Sequence, residues 1–380
     1  MGLGTGVKIV FHPSLFESAI ERHGQYIRWY SSAPCTCING LSQPDPECSR
    51  CLGRGYEYFS IKEKRIIEDI FSTGGDTISV VHDIQSIISL KRCTGEDVLY
   101  TSFDGKSILL PGTTEKYSYY QIDYIYKLEH PSICSAQYLG KGLLRINIPG
   151  TITPEGEFVG TITEITRLYN TTKQNNIGIL SFWEDRVLTN DYLDLSDIIE
   201  VTCKYLEPMK FLITNVGALN RFSPGAKGTS ASLSALQEYD AVATFSGFLS
   251  VGSGDLITLL RAEQKTSAIG HLTSGNIYRV PFYHIRSLVD VRDEIGKIDD
   301  VILVNENELR FDGRIPKKQF SIAFHYNPTF VVSGDSTSLR YGEDKVFPKR
   351  AGIKRWESFT SKEIRPVSRL SSAQQTENPF

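Results

Sequence analysis

The stretch YYQIDYIYKLEHP, Tyr119–Pro131, places Tyr120, Ile122, Tyr124 and Tyr126 at every second position and then stops at a proline. A period of two built from aromatic and β-branched side chains is the pattern of a strand with one face buried. The chain repeats it twice: Ile199, Val201, Cys203 and Tyr205 precede Pro208, and Phe320, Ile322, Phe324 and Tyr326 precede Pro328.

Working outward from these strands, each is preceded by the same two features. An apolar triplet at intervals of three comes first: Ile84, Ile87, Leu90; Ile162, Ile165, Leu168; and Ile285, Leu288, Val291. A hairpin candidate follows, DVLYTSFDGKSILL, NIGILSFWEDRVLT or DDVILVNENELRF, the first with an Asp104-Gly105 turn. From the first residue of the triplet to the last tyrosine the distances are 42, 43 and 41 residues. The repeat predicts a small antiparallel β unit used three times, each closing strand burying one face. In register, Cys203 falls where the other copies have Tyr124 and Phe324, so it reads as a core side chain. Cys93 and Cys134 read as ordinary buried or loop thiols.

At 380 residues the chain is long enough for two to four packed units, and its 40% hydrophobic and 11% aromatic content is that of a folded chain. A net charge of −3 gives no general attraction to nucleic acid. The start, MGLGTGVKIVFHPSLF, reads without a signal peptide, and no run of about 18 apolar residues suggests a membrane span. Folding in a cytosol is the expectation, where thiols stay reduced.

HPSLFESAIERHG reads as a short amphipathic helix with Leu15, Phe16, Ala19 and Ile20 on one side and Gly24 as its stop. YIRWY reads as a strand. SIKEKRIIEDIF reads as a second helix, with Ser60 and Glu63 as a capping box and Ile66, Ile67 and Ile70 as its stripe. Between them lie four of the chain's seven cysteines, as Cys35-x-Cys37 and, ten residues on, Cys48-x-x-Cys51. Four thiolates from two short loops suit a tetrahedral, structural Zn²⁺, and Gly53 and Gly55 permit the tight turn after the second pair. Reduced loop thiols and disulfides are the other readings. Zinc here would hold the two helices in a fixed relation.

The expected organisation is 1–74, helices and the four-cysteine zinc motif; 75–135, first β unit; 136–214, a linker hairpin and the second unit; 215–277, a loop-rich insertion; 278–338, the third unit; and 339–380, a basic C-terminal arm. The insertion contains a Gly/Ser/Ala-rich part, Ser223 to Ser234, that reads as an exposed loop. From Arg340 to Arg369 there are nine Lys/Arg against four Asp/Glu, a local +5. That arm reads as a solvated tail, as a contact to an acidic neighbouring subunit, or as the lining of a DNA passage, with Lys349, Arg350, Lys354, Arg355 and Trp356 as candidate partner-binding residues. Motifs for phosphate loops, nucleophile elbows and zinc proteases are absent from the sequence. Gly2 to Gly6 is a weak glycine string, His12 and His23 read as surface residues, and Glu184-Asp185 reads as a hairpin turn.

IRWYSSAPCTCINGLSQPDPECSRCLGRGYEYF resembles a signature of virion structural proteins of tailed bacteriophages, from the neck, head-to-tail connector or tail machinery. The likeness rests on Trp29, Pro34, Cys35, Cys37, Pro44, Pro46, Cys48, Cys51, Gly53, Gly55 and Tyr56, and covers under a tenth of the chain. FSIAFHYNPTFVV followed by VFPKRAGIKRW is similar, less specifically, to the C-terminal region of such proteins. The resemblance implies a non-enzymatic subunit of a ring around the tail axis, of six or twelve copies, contacting other neck or tail proteins in a virion assembled in the host cytoplasm. Placement in a baseplate is the alternative. Cys48-x-x-Cys51-x-Gly-x-Gly is also similar to half of a zinc module of the J-domain co-chaperones, but here it occurs once and without a His-Pro-Asp tripeptide. A zinc ribbon binding nucleic acid lacks the dense basic surround it would need.

Overall fold

A computed structural model describes residues 13–38, 45, 48, 51, 55–148, 159–215, 240–272, 275–280, 284–316, 319–338 and 346–355. The fold is mainly β, with three repeated antiparallel units and one N-terminal helix, Pro13–His23, ahead of the cysteine segment. Each closing strand lies in the middle of a sheet, between the strand that carries the apolar triplet and a leading strand. Tyr119–Lys127 runs between Glu63–Phe71 and Ile84–Arg92. Ile199–Leu206 runs between Glu129–Gly140 and Thr161–Asn170. Gln319–Tyr326 runs between Gln264–His271 and Ile285–Asp293.

The interval of three has a physical cause. In each triplet strand the register shifts twice, so two residues face one of the partner strand and the alternation stretches from two to three. The triplet therefore stays on the buried face, opposite every second residue of the closing strand. The residues left over at the second bulge, Ile88, Thr166 and Val289, are exposed. One backbone bond also recurs in all three units, tying the start of the triplet to the hairpin turn. The amides of Ile84, Ile162 and Ile285 donate to the carbonyls of Gly105, Glu184 and Glu306 at 2.8, 2.7 and 2.9 Å.

The hairpins form as expected, as Ser102–Asp104 with Ser107–Thr114, Ser181–Trp183 with Arg186–Leu188, and Val301–Leu303 with Glu308–Phe311. Each is extended by one further strand: Gly75–Ser79, Leu143–Asn147 or Ile277–Arg279. The units thus have six strands in common, the second adding the short strand Asn175–Asn176, and each begins upstream of its triplet.

The strands outside the units close a barrel. Gln25–Pro34 pairs with Met209–Asn215, which pairs with Ala241–Phe245; Lys349–Arg355, Thr329–Ser338 and Leu256–Leu259 complete the circuit back to Gln25–Pro34. Closure removes the open edges that a free sheet would expose. Ile27, Phe211, Phe245, Ile257 and Ile353 fill its interior, in one core with the first unit. Units one and two are inserted between the first two barrel strands in chain order, and unit three between the fourth and fifth. Pro208 and Pro328 mark the two returns to the barrel.

Several expectations are corrected. The segment Ser60–Phe71 is not a helix: Tyr56–Ser60 continues the barrel's first strand as its hairpin partner, and Glu63–Phe71 leads the first unit. Ile66 and Ile70 still face the core, because a strand's period also brings them to one side. Leu15, expected on the buried side of the helix, is exposed, whereas Ile20 is buried. The stretch at 349–355, expected as part of a loose basic arm, is a barrel strand. The Gly/Ser/Ala-rich part at 223–234 lies outside the described residues.

Candidate metal centre and buried charges

Gln25–Pro34 and Tyr56–Ser60 form a ladder from Tyr30–Ser60 outward to Pro34–Tyr56. The Cys35 amide donates to the Gly55 carbonyl at 2.7 Å, so the cysteine loop starts where the ladder stops. Gly55 has φ 78°, a left-handed conformation that other residues adopt only with strain. The amides of Ile38 and Cys48 donate to the carbonyls of Cys35 and Asp45 at 3.1 and 3.2 Å, closing a turn at each cysteine pair.

These turns gather Cys35, Cys37, Cys48 and Cys51, whose sulfurs all lie within 4.8 Å of one another. Cys35 and Cys48 Sγ are 3.8 Å apart, and Cys37 and Cys51 Sγ 3.4 Å. Metal–sulfur bonds of about 2.3 Å in a tetrahedron give sulfur edges of about 3.8 Å, so the donor set fits one cation. The four are free thiols, with Cys35 and Cys51 buried. The Cys37 amide lowers the Cys35 thiol, but burial and the neighbouring Glu57, Cys37 and Cys48 side chains together push it up to about 12. Burial also raises Cys37. Binding a cation here therefore releases protons. The four cysteines sit at the end of a strand hairpin rather than between two helices.

A carboxylate missed by sequence reading anchors the same hairpin to the barrel. Asp255 is buried and accepts hydrogen bonds from Trp29 Nε1 at 2.9 Å, the Ser32 amide at 2.7 Å, Ser32 Oγ at 3.0 Å and the Gly252 amide at 2.9 Å. Gly53, Pro44, Pro46 and Trp356 lie outside the described residues. Lys349, Arg350, Lys354 and Arg355 sit on a barrel strand, where Lys349 Nζ donates to the Leu249 carbonyl at 3.2 Å and the Arg355 amide to Asp240 Oδ2 at 2.6 Å.

The Glu184-Asp185 turn is more than a turn. Both residues are buried where the barrel, the second unit and the third unit meet. Arg286 is the extra residue at the first bulge of its strand, and it donates to Glu184 and, at 3.2 Å, to Asp185. Arg145 Nε donates to Asp185 at 3.0 Å. His284 Nδ1 lies 3.2 Å from Glu306 and 3.6 Å from Glu184, and Arg28 of the barrel donates to Thr161 of the second unit. Burial pushes Glu184 upward, but His284, Arg286 and Arg28 outweigh it and hold the carboxyl below its usual range. Burial opposes protonation of His284, yet Glu306 and Glu184 raise it to about 9. Sequence offered no signal for this cluster, because its members are up to 278 positions apart, from Arg28 to Glu306.

Elsewhere, Cys134 and Cys203 are buried in the second unit as expected, with sulfurs 3.7 Å apart, while Cys93 is exposed. Among the described residues no helix is long and apolar enough to cross a membrane. No family model matches the chain, and no curated protein matches it.

Proposed function

We propose that this chain is a structural subunit of a tailed-phage virion, of the neck or head-to-tail connector type, whose cysteine centre holds Zn²⁺. The observation that carries the reading is the set of four sulfurs at the tip of the barrel's first hairpin. Four protein thiolates complete a tetrahedron and leave no open position for a substrate, so the metal's role is to fix a surface. An all-sulfur tetrahedron suits zinc or iron, and a single redox-inert ion matches a purely structural task. The phage assignment rests on the sequence resemblance around the same cysteines.

Further support comes from large apolar side chains left in solvent on the first two units. Leu99 is 82% exposed, Tyr192 84% and Leu195 85%. Copies of the chain arranged in a closed ring would cover such residues through heterologous contacts. In this reading the barrel and the three units form a rigid block, and the stapled hairpin is one of its docking surfaces. Negative-stain electron microscopy of the purified protein tests it. Closed rings support the assembly role; a dispersed monomer that neither self-associates nor joins particles would sink it.

A further inference from the structure

We propose that the crevice between the second and third units binds a small apolar carboxylate, a hydrocarbon body carrying one anionic head. The proposal is independent of the virion reading. The crevice, open to solvent on one side, offers about 540 Å³, a volume in the range of small-ligand sites. Leu139 and Leu188 of the second unit and Leu288 and Leu303 of the third contribute apolar walls, and Lys141, Arg186 and Arg286 bring positive charge to the same space.

Arg186 is the decisive residue. Its side chain is 14% exposed, and its closest carboxylate oxygen, on the adjacent Asp185, is 3.9 Å away. Its buried Nε has no acceptor among the described residues. A buried guanidinium N–H left unmet is costly. Asp185 Oδ1, at 3.9 Å, lies beyond hydrogen-bond reach of Arg186 Nε, and Arg145 and Arg286 already donate to the two oxygens of that carboxylate. Arg286 Nη1 donates to Glu184 and Asp185 while its buried Nε also has no acceptor, and Lys141 Nζ donates to the Asp299 carbonyl at 3.0 Å and to Asp300 at 3.3 Å.

The wall of the crevice therefore carries, at Arg186, a guanidinium with an unmet donor. Burial and the neighbouring cations disfavour Arg186's charge, and an anion in the cavity would relieve that. A carboxylate matches a single planar guanidinium through two parallel hydrogen bonds. The leucine walls select for a ligand with a hydrocarbon body over a bare anion.

The test is calorimetric titration of the full chain with decanoate below its micelle concentration, with 1-decanol and inorganic phosphate as controls. The expected result is saturable 1:1 binding of decanoate, with decanol about tenfold weaker or worse and no saturable heat from phosphate. Arg186→Gln should weaken decanoate about tenfold. Lys141→Glu, at a rim position half open to solvent, should weaken it several-fold without endangering the fold. Absence of saturable decanoate binding overturns the proposal, as does equal binding of decanol or of phosphate. Unchanged affinity in folded Arg186→Gln overturns it as well. Should that variant fail to fold, unchanged affinity in Lys141→Glu does the same.

Discussion

Ile84 lies directly across the ladder from Tyr126, and two register shifts separate that pair from the pair Leu90–Ile122. The same relationship recurs as Ile162 with Tyr205 and Ile285 with Tyr326. Each triplet thus follows its partner strand through two bulges without leaving the core, and three stretches of low mutual identity share one geometry.

Truncating the buried member of such a pair should be far costlier than truncating the residue left over at the bulge. Ile285→Ala is expected to cost about 2–5 kcal/mol. Val289→Ala, on the solvent side, should stay within about 0.5 kcal/mol. Urea unfolding of both variants measures the difference, and equal losses would refute the assigned register.

Removing the metal should act through the hairpin. In the wild-type chain a chelator is expected to lower the melting temperature to that of Cys48→Ser, and the variant should no longer respond to chelator. Cys93→Ser, at an exposed thiol outside the cluster, should behave as wild type in both respects. A chelator response that survives in Cys48→Ser would place the metal elsewhere.

Asp255 links that hairpin to the barrel by three hydrogen bonds, from Trp29 Nε1 and from the Ser32 amide and hydroxyl, and accepts a fourth from the Gly252 amide of its own loop. Asp255→Ala leaves buried donors unmet and should cost about 3 kcal/mol. It should also weaken metal retention, since Ser32 and Trp29 lie on the strand that runs into Cys35. Competition with a colorimetric zinc chelator reads this second effect.

The charged junction predicts a pH dependence of defined sign. The folded state raises His284 from 6.5 to about 9, so its pairing with Glu306 and Glu184 stabilises fully below about pH 6.5 and is lost as pH rises through about 9. Melting temperatures of wild type and His284→Gln should therefore converge between those values. A gap that stays constant across this window would contradict a charged imidazole at the junction.

How much of this was legible follows from sequence separation. The closing strands, the hairpins and the triplets are each written within about forty residues, so their periodicity shows. The barrel is not, because Ile27 pairs with Met209 on one side and Leu259 on the other, and both partners lie beyond inserted units. Residues 63–71 misled because Ile66, Ile67 and Ile70 suit a helix as well as a strand; pairing along the whole of Tyr119–Lys127 decided between them. The cysteine cluster was legible because its four members lie within seventeen residues of sequence. The junction around Glu184 was not, since a turn's sequence says nothing about an arginine a hundred residues away.

Native mass spectrometry of the purified chain tests the central claim most directly, because one spectrum reports bound metal and subunit number together. The account predicts one zinc ion per chain in closed rings, with the metal lost in Cys48→Ser. A metal-free monomer with all seven thiols reactive would contradict both the staple and the building block founded on it.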